Sequence, residues 1–131
     1  MGLIAVLVAA VAGYAFGAVW YMSLSKPWMA ASGVEVGDDG RPVNSKDPIP
    51  YITAFVMAVL VAGMMRHVFA MSGIDTVGKG LVTGLGLGLF VAAPWIVNNV
   101  MFSNKPKSLI WIDGGYAAGG CTVIGLVLSL F

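Results

Sequence analysis

Residues 109–131 read LIWIDGGYAAGGCTVIGLVLSLF, 23 residues with a single charge at Asp113. A helix rises about 1.5 Å per residue, so this stretch reaches roughly 30 Å, the thickness of the hydrocarbon core of a bilayer. Three more stretches upstream have the same character: Gly80–Phe102, Tyr51–Met71 and Ile4–Leu24, of 23, 21 and 21 residues. Of the seven Lys/Arg and six Asp/Glu, only Arg66 and Asp113 fall inside any of the four. Hydrophobic residues make up 59% of the 131-residue chain and charged ones 10%, against about 25% charged in soluble domains. One water-soluble core of this size has no room for so much apolar surface. The sequence therefore predicts an all-α membrane protein. It is a single domain over residues 1–131, a four-transmembrane-helix bundle with one 26-residue polar loop, Ser25–Pro50, between the first two helices. The alternating ten-residue strands of an outer-membrane barrel are absent from the pattern.

Outside the spans the chain offers little to act with. The net charge is +1, which gives no basic field for nucleic acid. Cys121 is the lone cysteine and His67 the lone histidine, so an internal disulfide, a multi-cysteine metal site and a bis-histidine haem are excluded. The first span lacks the basic start and small-residue cleavage site of a signal peptide and is read as a retained helix. Within the first loop, Gly37-Asp38-Asp39-Gly40 lies between two short β-prone runs, the pattern of a small hairpin. Those aspartates lack the spaced oxygen ligands of a calcium loop. Asp47-Pro48-Ile49-Pro50 has the form of a helix start.

Four spans place the first and third loops on one side and both termini with the second loop on the other. The first pair carries Lys26, Arg41, Lys46, Lys105 and Lys107; the opposite side has Lys79 and the near-terminal Arg66. The positive-inside rule then sets the two basic loops in the cytoplasm and both termini on the periplasmic side of a bacterial cytoplasmic membrane.

Eighteen glycines are many for helices in water, but small residues let membrane helices approach closely. Gly13 and Gly17, then Gly80, Gly84 and Gly88, then Gly115 and Gly119, recur at four-residue steps and so share helix faces. These grooves serve either packing within the bundle or an oligomer interface. Pro94 removes one backbone hydrogen bond from the third span and clashes with the carbonyl of Phe90, so an interruption is expected there.

Asp113 is the most informative residue, because insertion scales charge roughly 2.5–3.5 kcal/mol for an aspartate at mid-helix and less near an end. It is either a first-turn acid that favours the positive helix end or a proton or cation ligand. Topology brings Trp20, Tyr21, Trp28, Asn98, Asn99 and Tyr116 to its level. Arg66 belongs to the far end of its span, where it snorkels outward or meets Asp75. Trp20, Tyr21, Trp28, Tyr51 and Trp111 also make an ordinary interfacial aromatic belt. No nucleophile–base–orienter set forms: the histidine is on the other side, and Cys121 lies in an apolar helix where a thiol stays inert.

Several of these residues carry a likeness. Gly17-Ala18-Val19-Trp20-Tyr21, followed by Lys26-Pro27-Trp28-Met29, resembles the N-terminal signature of the bacterial domain-of-unknown-function 1761 family. Asn98-Asn99-Val100-Met101-Phe102 and Ile112-Asp113-Gly114-Gly115-Tyr116 resemble its C-terminal half. The likeness covers nearly the whole chain. It implies a small integral membrane protein with no established activity, and so no substrate or catalytic residue. The Gly37–Gly40 turn matches no family pattern.

Function is expected to follow from packing. The chain is read as a non-enzymatic membrane protein, without catalytic residue, metal or cofactor. It sits in the lipid bilayer and packs with itself as a homo-oligomer or as an accessory subunit of a larger membrane complex. Two other readings stand beside it. One is a small oligomeric transporter or channel gated by Asp113 with Asn98 or Asn99. The other is a bundle that binds a lipid, isoprenoid or pigment near Trp20, Tyr21 and Trp28.

Overall fold

A computed structural model describes residues 2–131. Among these the long elements are all helices: α1 Gly2–Ser23, α2 Ser25–Ser32, α3 Pro48–Ser72, α4 Val77–Leu87, α5 Ala93–Phe102 and α6 Ser108–Ser129. A π-helical turn, Gly88–Ala92, joins α4 to α5. Four helices are long and apolar enough to cross a bilayer: α1, α3, the continuous run Val77–Phe102 and α6. Their ends lie within three residues of those read from the sequence.

Local chemistry fixes the ends. The Asp47 carboxylate accepts from the Ile49 N–H at 3.0 Å and Pro48 follows at the first helical position, where its missing donor is not needed. Gly73, in the left-handed conformation at φ 66°, closes α3 by donating its N–H to Phe69 O, a position that favours glycine. Three residues on, the Thr76 hydroxyl caps α4 by accepting from Lys79 N.

The 26-residue loop is a correction. Its first eight residues form α2, and α3 starts three residues before the expected span, which leaves residues 33–47 as the link. Eight residues are too few for periodicity to mark them; tertiary contact holds them instead. Ala31 is buried against Val100 and Leu109, with Trp28 packed beside them. Lys105 Nζ donates to the Ser32 carbonyl at 2.7 Å, satisfying an orphan acceptor at the helix end. The link itself folds as a small turn: Gly37 N donates to Arg41 O at 2.7 Å, Val43 N to Glu35 O at 3.0 Å, and Val36 bridges Pro42.

The helices form an open array rather than a closed bundle. α6 lies centrally, with α1 on one flank and the α4–α5 run on the other, while α3 packs along α1 and meets α6. Ala9, Ala10 and Ala62 are at 0% exposure in the core that α1, α3 and α6 share, and between α1 and α3 the Tyr14 and Phe55 rings meet edge-on at 5.9 Å. Met65, Phe69, Ile124 and Leu128 extend this core toward the far end. Such small-residue contacts suit apolar surroundings, where helix association rests on van der Waals approach.

α4 and α6 touch backbone to backbone. A methyl group placed on Gly80 would come 2.7 Å from Gly125 O, and one on Gly88 would come 2.6 Å from Ala117 O. Gly84 faces the Cys121 carbonyl with similar closeness. The expected interruption at Pro94 takes the form of the π turn. There Ala93 N reaches back five residues to Gly88 O, and the widened turn makes room directly before a ring that would crowd the Phe90 carbonyl.

Candidate functional site

The first turns of α6 and the last turns of α1 meet in a polar and aromatic cluster. Tyr21 OH donates to Asp113 Oδ1 at 2.6 Å, and Trp20 Nε1 donates to the Ile112 carbonyl at 2.8 Å. Both bonds cross between helices 92 residues apart in sequence. The Ile112 carbonyl belongs to a helix and has two lone pairs, so the indole supplies a second partner for a helical acceptor. The Tyr21 ring packs edge-on against Trp28, at 6.1 Å, and against Tyr116, at 5.2 Å. These are T-shaped contacts within the favourable range for aromatic pairs. α2 thus lays Trp28 beside the Tyr21–Asp113 pair.

Glycines let the rings in. Below the cluster, Trp20 lies over Gly115 and Phe16 lies over Gly119, while Tyr116 lies over Gly17 and Ile124 over Gly13. A methyl on Gly115 would be 2.6 Å from Trp20 Cζ2, and one on Gly17 would be 2.6 Å from Tyr116 Cε1. Each helix therefore offers a glycine pair as the seat for two large side chains of the other. Phe16 stacks on Trp20 at 5.7 Å, which makes one continuous aromatic ridge along α1.

Other residues placed at this level lie elsewhere around the helices. Asn98 and Asn99 are both exposed. Asn98 lines a groove between α5 and α6 that Asp113 does not line. Within the single chain, no hydrogen bond joins Asp113 to Asn98 or Asn99 among the described residues. The physical reason is azimuth: Val100 is the α5 residue buried here, so the two preceding asparagines turn outward. At the far end Asp75 pairs with Lys79 at 3.1 Å; of the two alternatives for Arg66, an ion pair with Asp75 is not formed among the described residues, although both line one shallow pocket. Arg66 instead lies along the backbone of Gly2, its Nε 3.1 Å from where a Gly2 methyl would stand. Among the described residues no three His, Cys, Asp or Glu side chains come together in a metal-binding arrangement.

With this geometry in view, the chain matches the family described as "Protein of unknown function (DUF1761)" over residues 4–129. The chain belongs to the DUF1761 family. No curated protein and no solved structure matches it. In this DUF1761 chain the quoted motifs, Gly17–Tyr21 with Lys26–Met29 and Ile112–Tyr116, meet across the α1–α6 contact; Asn98–Phe102 flanks it on α5.

Sequence reasoning missed Phe16, the Ile112 carbonyl, the Lys105–Ser32 bond and the buried alanines of α1 and α3. The alanines had a legible signal, since Ala5 and Ala9, like Ala58 and Ala62, repeat at the four-residue step of the glycines. A backbone carbonyl accepting from an indole leaves no mark in sequence.

Proposed function

We propose that this DUF1761 protein is a non-enzymatic integral membrane subunit that works by packing against another membrane protein, a second copy of itself or a larger complex. It sits in a bacterial cytoplasmic membrane with the α2 link and the α5–α6 loop in the cytoplasm and both termini on the periplasmic side. The observation that carries this reading over a polar gate is the engagement of Asp113. Its carboxylate is bonded to Tyr21 between two helices, apart from Asn98 and Asn99, so it serves as a clamp that fixes α1 on α6. Interhelical bonds of this kind in apolar surroundings contribute about 0.6–2 kcal/mol.

The open array adds support. Only 17% of the apolar window of α3 is buried, and the same share for the α4–α5 run, against 33% for α1. The glycine faces meet partners within the chain, so an external partner meets the outer face of α3, where Met57, Leu60 and Met64 are exposed. The test is sizing in lipid nanodiscs together with crosslinking of Leu60→Cys in a Cys121→Ser background. A covalent dimer or a co-purifying membrane protein linked through position 60 is expected. A strictly monomeric protein without any adduct overturns the proposal.

A further inference from the structure

The groove between α5 and α6 has a volume of about 570 Å³, within the roughly 300–1,000 Å³ of small-ligand clefts. It arises because the third span parts from α6 along its length. At Gly88 a methyl would strike the Ala117 carbonyl at 2.6 Å, whereas one at Gly114 would find only Ala93 Cβ at 3.9 Å. The π turn and Pro94 stand where this parting begins. The floor is small and apolar, made by Ala93, Gly114, Gly115 and Ala118. Trp111 stands on the rim, 79% exposed.

Chemistry changes in order along the groove. Its deep end, at Leu89 and Ala118, is hydrocarbon. Nearer the ends of the spans come the Asn98 amide and the Trp111 indole. One turn beyond Trp111 is Lys107, the residue that caps α6 in helical conformation and whose carbonyl accepts from Ile110 N at 3.0 Å. Lys107 is exposed and has no ion-pair partner among the described residues, whereas Lys105 is bonded to Ser32. Lys107 to Ala118 spans about 16 Å of helix. Hydrocarbon, a hydrogen-bonding amide and then a cation is the sequence of groups that complements an acyl chain, its ester linkage and an anionic phosphate.

We propose that this groove binds one anionic phospholipid, with an acyl chain against Ala93, Gly114 and Ala118, the ester region at Asn98 and the phosphate at Lys107. A second copy of the chain fits the surface less well, because close helix approach needs small residues on both sides and Trp111 stands proud of the rim. The site is distinct from the α3 face, and its test is independent of the subunit reading.

Protein purified in detergent is offered phosphatidylglycerol or phosphatidylcholine, and retained lipid is counted by native mass spectrometry. The wild type is expected to retain one phosphatidylglycerol in preference to phosphatidylcholine. Lys107→Gln should reduce that preference about fivefold, the effect of one lysine near an anionic surface. Val97→Trp, which fills the groove, should abolish retention of both lipids while Lys79→Gln, on the opposite side, changes nothing. Equal retention of the two lipids by the wild type, or an unchanged preference in Lys107→Gln, overturns the proposal. So does a groove-filled variant that stays folded by circular dichroism and still holds lipid, or one that instead loses a dimer. Should Val97→Trp not fold, the exposed Lys107→Gln decides alone.

Discussion

Asp113 shows what a single charge inside an apolar helix does when the chain supplies a partner. Its Oδ1 accepts from Tyr21 at 2.6 Å, so a group that is unfavourable in hydrocarbon becomes a link between α1 and α6. Tyr21→Phe should lower stability by about 1 kcal/mol in SDS-titrated unfolding. Asp113→Asn should lower it less, since an amide oxygen still accepts from the phenol. The double variant should then fall short of the sum of the two, because both act on the same bond and Asp113→Asn has nothing left to weaken once the phenol is gone. Additive effects would mean that the pair contributes nothing as a pair. Trp20, Tyr21, Trp28 and Tyr116 were legible as neighbours of Asp113 from their level along the membrane normal. Asn98 and Asn99 share that level yet lie apart, because sequence topology gives depth and not the rotation of a helix about its axis. Burial of Val100 sets that rotation.

At the scale of elements, glycine has two different roles in one helix. Gly80, Gly84 and Gly88 let α4 lie on the carbonyls of α6, while Gly86, on the same run, has nothing within 4 Å of its missing methyl. Gly88→Ala should therefore cost about 1–3 kcal/mol, since a backbone carbonyl cannot rotate aside as a side chain can. Gly86→Ala should be neutral or slightly stabilising, through the higher helix propensity of alanine. Thermal unfolding of both variants in one detergent checks the contrast; equal losses would show that the close approach does not hold α4 in place. The four-residue period of the glycines was visible in sequence, but the choice of partner face was not. α2 was invisible for another reason. Its eight residues carry no full apolar stripe, and contact with α5 and α6 stabilises it more than its own propensity does.

Across the whole molecule, α6 is the common element on which α1 and the third span lie, and α3 is held mainly by α1. The proposed orientation has a direct test in single cysteines placed in a Cys121→Ser background. Ser72→Cys should react with a membrane-impermeant maleimide in cells whose outer membrane has been permeabilised, and Ser45→Cys only once the inner membrane is opened. The reverse pattern would invert the topology. The sequence by itself determined the helical class, four apolar helices of bilayer length and the position of each polar residue along its helix, because these follow from composition and a fixed rise per residue. Tertiary structure alone decided that the array is open, that rings seat on glycines between α1 and α6, and that Asp113 belongs to Tyr21 rather than to the asparagines. Each of these depends on the rotation and neighbours of a helix, and a span that is apolar on all sides carries no periodic stripe to declare which face it turns inward.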